Sequence, residues 1–194
     1  MTTFGVILAG GQARRLGGAD KALTLLGTTT LLSQVLARFE PQVERVVLSA
    51  NGNAARFAAY GLPVLPDTSA QGPLSGVLSS LIWASALGAT AVVSVPVDGP
   101  FLPPDLVPRL CLAAANGPAL AASPGGWHPT FALWPVSLAE ALATFLASGA
   151  KARVRDFATA HGVRIADFPD DLAFANANTP QDLTAFAALR VRAI

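Results

Sequence analysis

The densest group of reactive residue types lies in one stretch, Leu8-Ala9-Gly10-Gly11-Gln12-Ala13-Arg14-Arg15-Leu16-Gly17-Gly18-Ala19-Asp20-Lys21. Gly10, Gly11, Gly17 and Gly18 let backbone N–H groups converge on one anion, while Arg14, Arg15 and Lys21 bring cations to the same loop. That combination suits a triphosphate. It is neither the P-loop pattern, where Lys directly follows Gly, nor the G-x-G-x-x-G dinucleotide fingerprint. A surface loop with solvated charges is the competing reading of the same spacing.

Asp98 is the second signal, a single carboxylate that ends the apolar run Ala91 to Val95 in Pro96-Val97-Asp98-Gly99-Pro100. Mg²⁺ takes hard oxygen ligands and commonly uses one or two carboxylates, with phosphate oxygens and water completing its shell. Asp before Gly-Pro is also ordinary turn chemistry, so the spacing alone fits either role. Asn51 and Asp67 each follow an apolar run and could bond a sugar or a base edge, or serve local backbone needs. Asn176 and Asn178 lead into a capped helix. His128 sits in a Gly-Gly-Trp-His-Pro turn without a neighbouring Cys or second His, which leaves a turn or a substrate contact. No Ser-His-Asp triad is legible, because Ser75 and Ser94 lack the G-x-S-x-G elbow.

These residues need a scaffold that gathers strand ends. Phe4 to Leu8, Val46 to Leu48, Val64-Leu65 and Ala91 to Val95 read as four short buried strands. Helices are expected at Thr30 to Phe39, Ala54 to Tyr60 and Leu74 to Leu87, so strand and helix alternate. Such alternation predicts an α/β fold: a three-layer, mostly parallel, Rossmann-like sheet with helices on both faces. In open α/β sheets the ligand crevice lies at the C-terminal ends of the strands, where Gly10, Asn51, Asp67 and Asp98 all fall. The second half predicts helices at Pro103 to Asn116, Ser137 to Ala147 and Val154 to His161. It also predicts strands at Ala119 to Ala122 and Thr130 to Trp134, joined by Pro124-Gly125-Gly126-Trp127. Val163 to Phe168 and Ala173 to Ala175 read as short strands. Thr179, Pro180 and Asp182 together mark the start of a last helix.

Composition narrows the partners. The 194 residues carry 13 Lys+Arg against 12 Asp+Glu, a net charge of +1 that offers no footprint for nucleic acid. With 52% hydrophobic residues the chain can bury a core, and at this length one domain is expected over residues 1–194. A lone cysteine, Cys111, and no signal-peptide pattern point to the cytoplasm. The uncharged stretch from Thr68 to Val97 is long enough to cross a bilayer. Gly72, Pro73, Gly76, Gly88 and Pro96 interrupt it, so it reads as a loop, a buried helix and a buried strand, with no membrane contact.

Five blocks taken together resemble the molybdenum cofactor guanylyltransferases. They are Leu8-Ala9-Gly10-Gly11 with Arg14 to Lys21, Gly72-Pro73-Leu74-Ser75-Gly76, Val97-Asp98-Gly99-Pro100, His128-Pro129-Thr130, and Asn176-Ala177-Asn178-Thr179-Pro180. The resemblance runs almost end to end. It implies a fold of the nucleotide-diphospho-sugar transferase type, with about residues 1–100 binding nucleotide and about 101–194 binding the acceptor. It implies transfer of GMP from GTP to molybdopterin with Mg²⁺, releasing pyrophosphate, and a molybdoenzyme or cofactor-delivery protein as a further partner. It places nucleotide contacts on Leu8, Ala9, Gly10, Gly11, Lys21, Asn51, Asp67 and Asp98, and the metal on Asp98. Arg15, Lys21 and Asp98 are the expected catalytic residues; His128, Asn176 and Asn178 are placed near the acceptor. The family often has Cys before its Asp-x-Pro triplet, where this chain has Val97. Lys151, Arg153 and Arg155 are three candidates for the acceptor's phosphate. The other readings are a cytidylyltransferase or another nucleotidyltransferase acting on a phosphorylated acceptor, and a non-catalytic nucleotide-binding accessory module.

Overall fold

The computed structural model describes residues 1–10, 20–67, 71–149, 151 and 153–191. The apolar runs form β1 (Thr3–Leu8), β4 (Val46–Ser49), β5 (Val64–Leu65) and β6 (Ala91–Pro96), and β1, β4 and β6 are buried along their whole length. Continuous burial is what strands need when helices cover both faces. A seven-stranded sheet results, in the order β5-β4-β1-β6-β8-β7-β9, with β7 at Ala119–Ser123, β8 at Gly126–Pro135 and β9 at Arg164–Asp167. Only β8 runs against the others, pairing antiparallel with β6 and β7, so the expected mostly parallel α/β sheet is the one observed.

Helices α1 (Leu31–Phe39) and α3 (Leu106–Ala114) close one face, where Val35, Phe39, Leu106 and Leu110 pack on Ile7, Leu48, Val93 and Val95. On the other face α2 (Pro73–Ala86), α4 (Ala139–Ala147) and α5 (Val154–Ala160) bury Leu74, Leu78, Leu142, Leu146 and Phe157 against Val6, Val47 and Trp134. The stretch weighed as a membrane span contains α2 and β6, and among the described residues no helix is long and apolar enough to cross a bilayer. Gly72, at φ +79°, turns the chain into α2, and Pro73 occupies its first turn, where no N–H is needed.

The structure differs from the expectations at several places. Ala173 to Ala175 is no strand: Asp170 accepts the Leu172 N–H at 2.9 Å and winds Asp171–Phe174 into a 3₁₀ turn. The β7–β8 turn is shorter than expected, since pairing already begins at Ser123 with Gly126 and continues through Ala121 with His128. His128 therefore sits on a strand, not in a turn. Helix α3 starts at Leu106 and not Pro103, because Pro103 and Pro104 cannot donate and the chain first makes a turn from the Leu106 N–H to the Pro103 carbonyl. Ala54–Tyr60 is 3₁₀ and not α-helical. A small hairpin, β2 (Leu25–Leu26) with β3 (Thr29–Thr30), was not anticipated; Gly27, at φ +68°, makes its turn.

The last helix, α6 (Pro180–Val191), begins as expected. Thr179 Oγ1 accepts the Asp182 N–H at 3.2 Å, and Asp182 in return accepts the N–H groups of Thr179 at 2.8 Å and Asn178 at 2.9 Å. Phe186 of this helix joins Leu26, Leu31 and Ala177 in a third small apolar cluster. That cluster holds the segment before α6 beside the β2–β3 hairpin.

Candidate active site

Strand order reverses at β1, which has β4 on one side and β6 on the other, so the crevice of such a sheet opens where their C-terminal ends meet. The ends are level: the Ala9 N–H donates to the Ser49 carbonyl at 2.9 Å, and the Val97 N–H to the Leu8 carbonyl at 3.2 Å. Leu8 and Ala9 are buried, and these bonds occupy the Leu8 carbonyl and the Ala9 N–H. What they can offer a ligand is the exposed backbone that follows, at Gly10. Gly11 and Arg15, like Arg14, lie outside the described residues.

At Asp20 and Lys21 the chain comes back to the crevice. Asp20 caps a 3₁₀ turn, Lys21–Leu23, by accepting the Ala22 N–H at 3.0 Å. Lys21 Nζ donates to Asp98 Oδ2 at 2.5 Å and to Asn178 Oδ1 at 2.7 Å. Lys21 and Asp98 are each 18% exposed at the side chain, shielded yet open to a ligand. The Ala177 N–H donates to the Asp98 carbonyl at 2.8 Å, which fixes the Asn176-Ala177-Asn178 segment on the end of β6. Ala177 is fully buried, whereas Asn176 and Asn178 face outward. Lys21, Asp98 and Asn178, far apart in the chain, thus stand together.

Asn51 and Asp67 form a second group on the other side of β1. Asn51 Nδ2 donates to Asp67 Oδ2 at 2.9 Å, and its Oδ1 accepts the Asp67 N–H at 2.9 Å. Ser49 Oγ also donates to Asp67 Oδ1, at 2.7 Å. A Cβ on Gly10 would lie 3.3 Å from Asp67 Oδ2, so the glycine lets this carboxylate approach the loop. Arg56, which sequence reasoning missed, links the groups: it pairs with Asp20 and donates to the Asn51 carbonyl at 2.8 Å and the Asn53 carbonyl at 2.6 Å. Nothing in the spacing of Arg56 announces this role.

His128 lies at the same edge of the sheet, because β8 runs backwards and begins where the other strands end. Its Nε2 is 2.6 Å from Ser123 Oγ, and Ser123 Oγ in turn bonds Asp171. The ring stacks on Phe174, centroids 4.3 Å apart and planes 7° from parallel. Burial lowers the His128 pKa, an effect that outweighs the upward pull of Asp171; Arg155 adds to the lowering. Ser94, a nucleophile only by residue type, is fully buried and accepts the Trp134 indole N–H at 3.0 Å. Arg155 is occupied by Trp127, over whose ring it lies at 5.3 Å. A separate groove of about 440 Å³, lined by Arg38, Phe101, Asp105, Arg109 and Phe168 among others, includes none of these residues.

Lys21 and the strand-end Asp98 meet near the switch point of a mostly parallel sheet, where such folds bind nucleotides, and the class of the protein is that of the nucleotidyltransferases. Residues 5–164 match the MobA-like NTP transferase domain family. The chain belongs to that family, and within it to the molybdenum cofactor guanylyltransferases. A protein of that name from Cereibacter sphaeroides is 55% identical over 94% of both chains, and one from Mesorhizobium japonicum is 47% identical over 95% of this chain and 94% of its own. The fold is similar to that of a molybdopterin-guanine dinucleotide biosynthesis protein A from Archaeoglobus fulgidus, with a TM-score of 0.76, 19% identity, and coverage of 98% of this chain and 99% of that one.

Proposed function

We propose that the chain transfers GMP from GTP to molybdopterin, forming the guanine dinucleotide of the cofactor and releasing pyrophosphate. The reading rests on Lys21 and Asp98 meeting at the strand ends. In this reaction an oxygen of the acceptor's terminal phosphate attacks the α-phosphorus of GTP, and the bond to the β-phosphate oxygen breaks. A phosphate is already nucleophilic at neutral pH, so the protein must align the reactants and neutralise charge rather than remove a proton. About residues 1–100 hold the nucleotide: Leu8 and Ala9, themselves bonded into the sheet, set where Gly10 and Gly11 offer backbone groups to the phosphates, Lys21 and Arg15 face the growing charge, and Asn51 and Asp67 take the nucleoside. About residues 101–194 hold the acceptor, with His128, Asn176 and Asn178 at its pterin side.

The site also suits a divalent cation. The Lys21 ammonium is a cation lodged between two hard oxygens, Asp98 Oδ2 and Asn178 Oδ1, so positive charge is already favoured there. Asp98 would hold Mg²⁺, which supplies charge neutralisation on the triphosphate when bound. We place the reaction in the cytoplasm, where the free thiol of Cys111 persists, with a molybdoenzyme or delivery protein receiving the product. Turnover with each of the four nucleoside triphosphates and molybdopterin tests the proposal. Pyrophosphate and a pterin dinucleotide should form with GTP; preference for CTP, or binding without pyrophosphate release, would overturn it.

A further inference from the structure

Ser123, His128 and Asp171 form a hydrogen-bonded chain whose proton positions can be assigned. The Asp171 carboxyl is held below its ordinary pKa by the Ser123 hydroxyl and by the Gly125 N–H, which donates at 2.7 Å. It is therefore ionised at neutral pH and can only accept. Ser123 has one hydroxyl hydrogen, and Asp171 takes it. The remaining bond of Ser123 Oγ, at 2.6 Å, must then be donated by His128 Nε2–H. Burial keeps the imidazole neutral, which leaves a lone pair on Nδ1.

Among the described residues Nδ1 has no hydrogen-bond partner, while every fully buried side-chain nitrogen or oxygen has one. Nδ1 therefore reaches solvent. The stack on Phe174 fixes the plane of the ring, two residues before Asn176. This wiring differs from a hydrolase triad. The carboxylate holds the serine and not the imidazole, so the serine proton is directed away from the histidine.

We propose that Ser123 and Asp171 are positioning residues that lock His128 as the Nε2–H tautomer, so that Nδ1 accepts a hydrogen bond from a ring N–H of the heteroaromatic acceptor. The proposal rests on the reading that places the acceptor beside His128. Once a bound acceptor shields Nδ1 from water, its fixed direction favours a ring that carries the matching donor, because an analogue lacking it leaves the nitrogen unpaired.

The test combines nitrogen-15 spectroscopy of the imidazole with steady-state kinetics on the full chain. In His161→Gln, where His128 is the one remaining histidine, the ring should appear as the neutral Nε2–H form at pH 7. Adding Asp171→Asn, at an exposed position, or Ser123→Ala should give a tautomer mixture. Both variants should raise the acceptor KM about three- to tenfold, with the GTP KM unchanged, the size expected for one misdirected hydrogen bond. Finding the Nδ1–H or protonated form in the parent, or no tautomer change in either variant, overturns the proposal. Unchanged acceptor KM in His128→Gln overturns instead the acceptor-side reading on which it stands, and the tautomer result separates the two failures.

Discussion

Lys21 Nζ stands 2.5 Å from Asp98 Oδ2 across 77 positions of sequence, joining the 3₁₀ turn Lys21–Leu23 to the end of β6. A phosphate that bound this ammonium would compete with Asp98 for it and would free the carboxylate to take a cation. Asp98→Ala should therefore keep the fold and lose most transfer. Loss of about 3 kcal/mol of transition-state stabilisation corresponds to more than a hundredfold in kcat. The partly exposed pair itself should cost only about 1 kcal/mol of stability when broken. Turnover at saturating Mg²⁺ and GTP, read beside the melting temperature, checks both; wild-type turnover would remove Asp98 from the chemistry.

Asn51 spends both ends of its amide on Asp67, so on the proposed assignment its substitution should disturb nucleotide binding and leave acceptor binding untouched. Asn51→Ala should raise the GTP KM about tenfold, the effect of leaving Asp67 with two lost partners. The molybdopterin KM should stay at its wild-type value. Initial rates with each substrate varied in turn measure the split, and a matching rise in both constants would argue against the assignment.

At Gly76 helix α2 lies close against the sheet. A Cβ there would lie 2.1 Å from Ser49 Oγ and 3.0 Å from Leu8 Cδ2, and Ser49 is the residue that donates to Asp67. Gly76→Ala should destabilise the fold by roughly 1–3 kcal/mol, the usual cost of overpacking, and weaken GTP binding through the displaced Ser49. Thermal unfolding with and without GTP reads the two effects separately. An unshifted melting temperature would mean that α2 moves away at no cost.

The first half of the chain was legible because its signals are local. Buried parallel strands are uniformly apolar, and each ends at a glycine, asparagine or aspartate, so Gly10, Asn51, Asp67 and Asp98 could be placed at one edge from spacing alone. The second half was less legible because its contacts depend on strand direction. His128 reaches the crevice only because β8 runs antiparallel, and neither the early pairing of Gly126 with Ser123 nor the wiring of Asp171 leaves a mark in the sequence. Arg56 is hidden for the same reason: its partner Asp20 is 36 residues away.

The segment that carries Asn178 toward Lys21 should loosen in acid, through Asp182. Its carboxylate accepts the N–H groups of Asn178 and Thr179, and these bonds, with a smaller one from the Thr179 hydroxyl, lower its pKa from the ordinary 3.8. A lowered folded value means that stability is present in full above the unfolded pKa, where both states are ionised. As pH falls below it the unfolded chain takes up the proton first, and the contribution is lost through the lowered folded pKa. Asp182→Asn should therefore melt below wild type near neutral pH, and the two curves should converge as the pH drops to about 2. Because Asn178 is anchored by the same carboxylate, the variant should also weaken the hold on Lys21 and raise the GTP KM at pH 7. Melting temperatures measured across that range decide the matter: a gap as wide in strong acid as at neutrality would show that the charge of Asp182 has no part in seating the segment.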